Sequence, residues 1–600
     1  MPAALTYPGV YIEEVSSGVH TITGVATSIT AFIGRALRGP SDEPVTINNY
    51  GDFERIFGGL WLDSTLGYAV RDFYLNGGGQ AIIVRLYHGK IAAGDEADAL
   101  AAAKDTAAEG AGAGDAATAL AKIKAKADSY ADEPKKSAAK AVYDAAAKEV
   151  ADNSSATAAT VEAAAKSAIA KAVPLGKATL NVKGLNLQAR YQGVWGNKLR
   201  GRVDLDVKDA DGNDVQGLFN RTIYDGTTQQ TESFRNLSVD AANARRVDKV
   251  LKNESRLVEM TGALPVLPTA HAKDPAQGKT IWNDDNASTG VLDTAGDGDA
   301  LAIADFNGQG KEDKKDGLYA LEDAELFNIL CIPPYLAGGE VDPALVAEAA
   351  VYCERRRAML LVDPPARWKD KKGAIDGLSN LGTKSKNAAL FFPRLKQPNP
   401  LNSNLVEQFA PCGAVAGIFA RTDTTRGVWK APAGLEATLV GVPELSVPLT
   451  DAENGELNPL GVNCLRTMPA AGRIIWGSRT LQGDDRLASE WKYVPVRRTA
   501  LFLEESLYRG TQWVVFEPND EPLWAQIRLN VGAFMQSLFR QGAFQGKTPA
   551  EAYFVKCGKD TTTQNDIDLG IVNVLVGFAP LKPAEFVVIK LHQIAGQIQT

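Results

Sequence analysis

Histidine is scarce: the 600-residue chain has four, His20, His88, His271 and His592. Two of them lie in the terminal segments, so a hydrolytic triad or a histidine-rich metal centre would have to be built from very little. Cysteine is sparse as well. Cys331, Cys353, Cys412, Cys464 and Cys557 are odd in number, widely spaced and without a CxxC pair. They offer neither a zinc motif nor a disulfide framework, and fit reduced thiols in a cytoplasm. No apolar run approaches the length that crosses a bilayer, and the start lacks a basic stretch followed by an apolar one, so direct membrane insertion is not expected. Clusters of Lys and Arg are also missing, and a formal charge of -8 argues against nucleic acid or anionic lipid as a partner.

Nucleotide, metal and nucleophile motifs fail on spacing. GLSNLG (377–382) misplaces Ser379 for a nucleophile elbow. GAFQGKT (542–548) has three residues between its glycines where a phosphate loop needs four, and reads as a helix-terminating turn. Asp305, Asn307, Gln309, Gly310 and Asp316 approximate a calcium loop, but Gln stands at its fifth position and Asp in place of the bidentate Glu. No cofactor, metal or catalytic residue is assigned.

What is present is a long alternation of apolar runs and helical periods. ATSITAFIGRA (26–36) reads as a buried strand, and STLGYAVRDFYLNGGGQ (64–80) as a helix capped by Ser64 or Thr65 and ended by Gly77–Gly79. Residues 81–86 form the next strand, making an α/β unit over 23–91 with a parallel crossover. Residues 92–173 turn abruptly to Ala, Lys, Asp and Glu, where Leu120, Ile123 and Ala127 share one face and Val142, Ala146 and Val150 another. This is a helical insertion, packed through alanine and read as an outer decoration. Short β-prone runs between Gly, Asn and Asp turns make 174–316 a β-rich domain.

Residues 317–482 return to α/β character. Strands are expected at 326–333, 358–365, 387–393 and 414–420 (AVAGIFA), with a helix in VDPALVAEAAVYCERRR (341–357). This describes a doubly wound domain. An α+β domain follows over 483–578. A helix opens at NDEPLWAQ and runs to about residue 540, with Leu523, Ile527, Val531, Phe534 and Leu538 on its apolar side, followed by strands at 553–557 and 570–580.

Both ends are β-prone and have no local partner. YPGVYIEEV (7–15) opens the chain and AEFVVIKLHQI (584–594) nearly closes it. A third polar concentration, ARTDTTRGVWKAPAG (420–434), offers Arg421, Asp423, Arg426, Trp429 and Lys430 as a candidate subunit interface, since such residues supply bidentate pairs and aromatic anchors.

Long stretches closely resemble contractile tail sheath proteins of phages and phage-derived injection machines. They include YPGVYIEEVSSGVHTITGVATSITAFIG at the start, RYQGVWGNKLR (190–200), ESFRNLS (232–238), GLYALEDAELFNILCIP (317–333) and YCERRRAMLLVDPP (352–365). PCGAVAGIFARTDTTRGVWKAPAG (411–434), GVNCLRTMPAAGRIIWGSRTL (461–481), KYVPVRR (492–498) and APLKPAEFVVIKLHQ (579–593) continue it. The resemblance leaves the Ala-rich insertion and parts of the β-rich region uncovered. Cys412 departs from the usual Pro or Ser, and Phe419 from Tyr.

The resemblance implies a non-enzymatic subunit that polymerises helically, in stacked rings of six, around an inner tube. Its extended lattice is metastable, and contraction drives the tube through a target envelope. It also implies a subtilisin-like α/β core without a catalytic triad, and N- and C-terminal β-arms (1–22 and 579–600) that add strands to neighbouring subunits. Tyr7, Val10, Tyr11, Ile12 and Val15 would link at one end and Phe586, Val587, Val588, Ile589 and Leu591 at the other. Arg528 and Arg540, on the polar side of the 522–540 helix, would face the inner tube. Partners would be other copies, the tube protein, baseplate and tail terminator proteins; assembly would occur in the bacterial cytoplasm, and the product would be part of a phage tail or injection particle. Two other readings stay open: a hydrolase using Ser379 or His271, and a monomeric binding module.

Overall fold

The computed structural model describes residues 20–590, apart from 92–94, 174, 210, 265 and 337–338. In chain order it begins with β1 (Thr30–Gly34), β2 (Pro44–Ile47), α1 (Tyr50–Phe57), α2 (Leu66–Leu75) and β3 (Ala81–Arg85). The insertion supplies α3 (Glu96–Ala108), α4 (Ala116–Asp128), α5 (Lys135–Asp152) and α6 (Ala158–Ala172). The β-rich region holds β4 (Thr179–Val182), β5 (Leu185–Ala189), β6 (Leu199–Asp204), β7 (Leu218–Asp225), β8 (Gln230–Ser238), α7 (Val247–Glu254) and β9 (Val258–Met260), then two short helices, α8 (Ile303–Asn307) and α9 (Lys311–Lys314).

The chain then adds β10 (Ile329–Cys331), α10 (Pro343–Arg355), β11 (Met359–Val362), α11 (Lys371–Gly377), β12 (Ala388–Phe392), β13 (Leu395–Asn399) and β14 (Leu405–Phe409). After these come α12 (Cys412–Arg426), β15 (Glu444–Leu445), α13 (Asp451–Leu457), β16 (Val462–Met468) and β17 (Gly472–Trp476). The last part contains α14 (Val494–Gly510), α15 (Glu521–Arg540), α16 (Pro549–Ala552), β18 (Tyr553–Lys556), α17 (Gln564–Asp568) and β19 (Leu575–Phe578).

One eight-stranded sheet, ordered β17-β16-β12-β11-β10-β1-β3-β2, dominates the molecule. Its inner strands pair in parallel, and only the edges β2 and β17 are antiparallel. Parallel strands need cover on both faces, which is why β1, β3, β11 and β12 are buried along their whole length. α10 with Trp368 and Leu457 closes one face, and α1, α2 and α12 close the other.

This arrangement corrects two expectations. Residues 23–91 and 317–482 were divided into separate units, whereas β1, β2 and β3 share the sheet with β10, β11, β12, β16 and β17. The insertion and the β-rich region both lie in the connection from β3 to β10, the two strands that flank β1 in the sheet. The segment AVAGIFA (414–420) is helical, not a strand. Every residue of α12 from Cys412 to Ala420 is buried, so its apolar side has no period to betray a helix. Its glycines have a packing role: a Cβ on Gly413 would lie 2.0 Å from the Ala69 carbonyl oxygen, and one on Gly417 2.4 Å from that of Phe73. α12 and α2 therefore cross backbone to backbone.

The insertion forms four helices whose shared core is mostly alanine, with Ile123, Val142, Val161, Val173 and Leu175 as its larger members. The β-rich region contains two three-stranded antiparallel sheets, β4-β5-β9 and β6-β7-β8. The C-terminal unit packs α15 against Leu503, Phe544 and Ala552, and it takes Ile22 from the far end of the chain into its core.

Candidate functional site

The chain ends and the polar cluster at 420–434 are the places where sequence pointed to contacts with other molecules. Both meet in the C-terminal unit. β18 and β19 pair antiparallel from Tyr553↔Phe578 to Lys556↔Leu575, and they form a sheet of only two strands. Their surroundings are apolar yet open: Phe554, Leu569, Ile571, Val574 and Leu575 are all exposed. A two-stranded sheet has little stability by itself, and its outer edges offer unpaired backbone groups.

Beyond β19 the chain runs extended without a strand partner among the described residues. At Glu585 it is held. The carboxylate accepts from Arg479 Nε at 2.8 Å and Nη2 at 2.6 Å, and from the Tyr493 hydroxyl at 3.2 Å. The Arg479 side chain is fully buried, and its Nη1 donates to the Gly483 carbonyl and to Asp485. Phe586, Val587, Val588 and Ile589 then follow, each about four-fifths exposed (76%, 81%, 80% and 78%). Leu591 lies outside the described residues, as do Tyr7, Val10, Tyr11, Ile12 and Val15.

The N-terminal end enters the described structure on the same unit. His20 stacks on Trp513 at 4.1 Å, Ile22 is buried beside Gly510, and the Val25 amide donates to Ser506 Oγ. Arg498 Nη2 donates to the Thr27 carbonyl at 2.8 Å. The same guanidinium grips Asp423 through two bonds of 2.8 and 2.6 Å, with both side chains 3% exposed.

That pair takes Asp423 out of the candidate interface in the 420–434 cluster. Asp423 is spent inside the chain and is closed to a partner. Arg421 donates to the Glu436 and Thr438 carbonyls, and burial holds its guanidinium below its ordinary range. Lys430, whose ammonium burial also pulls down, donates to the Ala431 and Ala433 carbonyls. Trp429 packs against the C-terminal core. Of the five, Arg426 alone is exposed, paired with Glu436 at 2.8 Å. The cluster fastens the central sheet to the C-terminal unit, because Asp423 and Trp429 reach across to α14 and the α15 core.

The candidate tube-facing arginines also differ from each other. Arg528 is half-buried and engaged within the chain, donating to the Cys557 carbonyl and to Glu521. Arg540, in the last turn of α15, is exposed.

The hydrolase reading finds no geometry. Ser379 Oγ donates to the Asp376 carbonyl. His271 sits in the β-rich region, where Nδ1 accepts from the Val203 amide and Nε2 therefore donates to Thr289. Burial pulls its pKa down to about 4, which keeps it neutral and structural. Neither residue has the other among its partners. In the calcium-like loop, Asp305 binds His88 Nδ1 at 2.9 Å and caps the Ala302 amide, while Asn307 donates to Glu348. Among the described residues no cluster of three His, Cys, Asp or Glu could hold a metal ion, and no helix is long and apolar enough to cross a membrane.

Sequence reasoning missed Arg479, Arg498 and Glu585. Only their location inside recognised stretches, GSRTL, KYVPVRR and PAEFVV, signalled them; nothing local indicates that the arginines are buried.

Residues 307–481 match the phage tail sheath protein central domain, and residues 488–594 match the phage tail sheath C-terminal domain. The tail sheath protein of Burkholderia phage BcepMu is 27% identical over 247 residues, which are 38% of this chain and 50% of that protein. The chain spans half or less of the length of the curated relatives it matches. Among solved structures, the sheath tail protein Lin1278 from Listeria innocua is 12% identical, with 93% of this chain and 96% of that one covered and a TM-score of 0.52. The anti-feeding prophage helical sheath in its contracted state is 19% identical, with 98% and 100% covered and a TM-score of 0.50. These two likenesses concern the fold, whereas the matched domains run in succession from residue 307 to residue 594. Over residues 307–594 the chain thus carries both domains of the phage tail sheath family.

Proposed function

We propose that this protein is the structural subunit of a contractile sheath: copies assemble helically around an inner tube in a metastable extended state, then contract and drive the tube through a target envelope. The observation that carries the reading is the pairing of an unfinished sheet with an unfinished strand in one chain. Among the described residues β18 and β19 leave two edges unpaired, and four consecutive apolar residues, Phe586–Ile589, stand in solvent without a strand partner. A terminal arm adding a strand to the sheet of another copy satisfies both. Each backbone hydrogen bond so made contributes about 0.5–1.5 kcal/mol, so a five-bond junction gives a few kcal/mol before ordering costs.

The arms on this reading are residues 1–22 and 579–600, with Tyr7, Val10, Tyr11, Ile12 and Val15 acting at one end and Phe586, Val587, Val588, Ile589 and Leu591 at the other. A core of mixed α/β type around a buried α12, with Ser379 and His271 engaged elsewhere, supports a subtilisin-like scaffold without catalysis. Arg540 is the better candidate for the tube-facing side of α15, since Arg528 is already engaged. Rings of six, a tube protein, a baseplate, a tail terminator and assembly in the bacterial cytoplasm complete the proposal.

Electron microscopy of the purified protein tests it. Hollow, striated tubes are expected from the full chain, and soluble monomers from a chain lacking residues 1–20. Tubes of normal length from that variant would refute the arm assignment, and a full chain that stays monomeric at all concentrations would refute the sheath.

A further inference from the structure

The C-terminal segment changes character at one residue. Pro580 still bridges to Phe544, the next residues cross the surface without strand pairing, and Glu585 is clamped; immediately afterwards four apolar side chains stand free. The clamp is unusually complete for a pair so close to a chain end. Arg479 presents two nitrogens to the two Glu585 oxygens, a fork that fixes direction as well as distance. The guanidinium has no exposed surface, and the Glu585 side chain is 15% exposed.

Arg479 is itself fixed from behind. Its amide donates to Asn463 Oδ1 at 2.6 Å, and Asn463 Nδ2 donates to the Leu390 and Arg479 carbonyls. Asn463 lies in β16 and Leu390 in β12, paired neighbours of the eight-stranded sheet. A continuous path of buried polar contacts therefore leads from the terminal segment to the rigid centre of the molecule.

We propose that the Arg479–Glu585 pair is a clasp that fixes the exit point and free length of the C-terminal arm, so that displacement of a neighbouring copy is passed to the central sheet through Arg479. Glu585 and Arg479 are positioning residues: they touch no partner and act through the arm. The inference rests on the arm reading. With the clasp closed, the free arm from residue 586 to 594 spans at most about 30 Å at roughly 3.3 Å per residue. With it open, the chain is free from residue 581, which adds about 16 Å of slack. An arm that acts as a link of defined length between copies needs that slack removed. Slack alone lowers the effective concentration of the arm at its partner by the three-halves power of length, about twofold, and loss of direction lowers it further.

The five native cysteines are all buried, so Cys introduced at Val588 takes a nitroxide label selectively. In unassembled full-length chain, Glu585→Gln is expected to convert the label from restricted to freely mobile motion, and in the unlabelled chain to raise the critical concentration for tube formation at least about twofold. Glu585→Asp keeps the charge and is expected to restore most of both. Should Glu585→Gln unfold the chain, Tyr493→Phe removes only one hydrogen bond to the carboxylate and is expected to shift both readings in the same direction by less. Unchanged label motion or an unchanged critical concentration in these variants overturns the clasp. Removal of residues 586–600 separates the two ideas: loss of tubes there with normal tubes from Glu585→Gln rejects the clasp alone, whereas normal tubes from the truncated chain reject the arm and the clasp with it.

Discussion

β1 has a hydrogen-bonded neighbour on each side, β10 and β3, and all five of its residues are buried. β18 has one neighbour, and its Phe554 keeps 48% of its surface in solvent. The first sheet is completed by its own chain, through helices on both faces and short antiparallel edge strands. The second has two strands among the described residues, and on the proposed arm reading another copy supplies the next. Free energy from packing the central sheet therefore stabilises the monomer, while on that reading free energy from finishing the small sheet is gained only in assembly. Substitutions in the two regions should separate accordingly, the former reading out in unfolding and the latter in assembly.

The largest effect on the monomer is expected where the regions are joined. Asp423 and Arg498 are both buried, and they tie α12 to α14. Asp423→Ala leaves a guanidinium without its counter-charge in a dry site, which costs about 3–5 kcal/mol. Denaturant unfolding of the unassembled chain should show that loss, as a lower midpoint or as a separate early transition of the C-terminal unit. A variant as stable as the parent would mean that the two units are held together by apolar contacts alone.

A smaller effect tests the central sheet by pH. Asp363, at the end of β11, accepts from the Cys412 amide, and among the described residues its Oδ2 has no partner. Burial, only partly offset by the Cys412 bonds and by Arg394, pushes its pKa up to about 6. Asp72 is likewise raised to about 6 by burial, against the pull of Arg71 and Gln397. An acid whose folded pKa exceeds its unfolded value binds its proton more tightly in the fold. Stability from these two groups therefore rises as pH falls from about 7 towards 4, by up to about 3 kcal/mol for each group. Asp363→Asn removes one of them: the variant should be the more stable at pH 7, its advantage should shrink as pH approaches 4, and its assembly should be unaltered.

Much of the central region is legible in sequence because its strands are short apolar runs and its helices carry caps. Asp342 accepts from the Ala344 amide at the start of α10, and Asp520 caps α15, both where Asp-Pro and Asp-Glu-Pro stand in the sequence. α12 was not legible, since a helix buried on every side has no polar face, and its glycines, which suit a close crossing of helices, also suit a strand. The joining of residues 23–91 to 317–482 in one sheet is hidden by the intervening residues 92–316, most of which pack into two separate cores. At the candidate site, the proposed arms are suggested in the sequence by β-prone segments with no local partner. Their anchors are not: Glu585 finds Arg479 from 106 positions away and Asp423 finds Arg498 from 75, and no periodicity links residues that distance apart. Surface character was likewise misjudged for Asp423 and Lys430, because a polar cluster reads alike whether its partners lie in the same chain or in another.

The smallest effect on the monomer should accompany a large one on assembly. Leu575 is 53% exposed and stands opposite Lys556 in the β18–β19 pair. Leu575→Glu loses little burial in the isolated chain and sets a carboxylate across from the Lys556 ammonium. Such a cross-strand pair contributes roughly 0.2–1 kcal/mol, so unfolding of the monomer should move by less than about 0.5 kcal/mol in either direction. An incoming apolar strand meets a different surface. Its side chains must desolvate the new charge or leave a gap beside it, and a charge on a strand edge is a device by which natural sheets prevent pairing. Tubes should therefore disappear from micrographs of Leu575→Glu at concentrations where the parent assembles, while its unfolding curve overlays the parent's. A matching loss of monomer stability would place Leu575 in the chain's own core energetics, and normal tubes would show that strand addition does not use this part of the sheet.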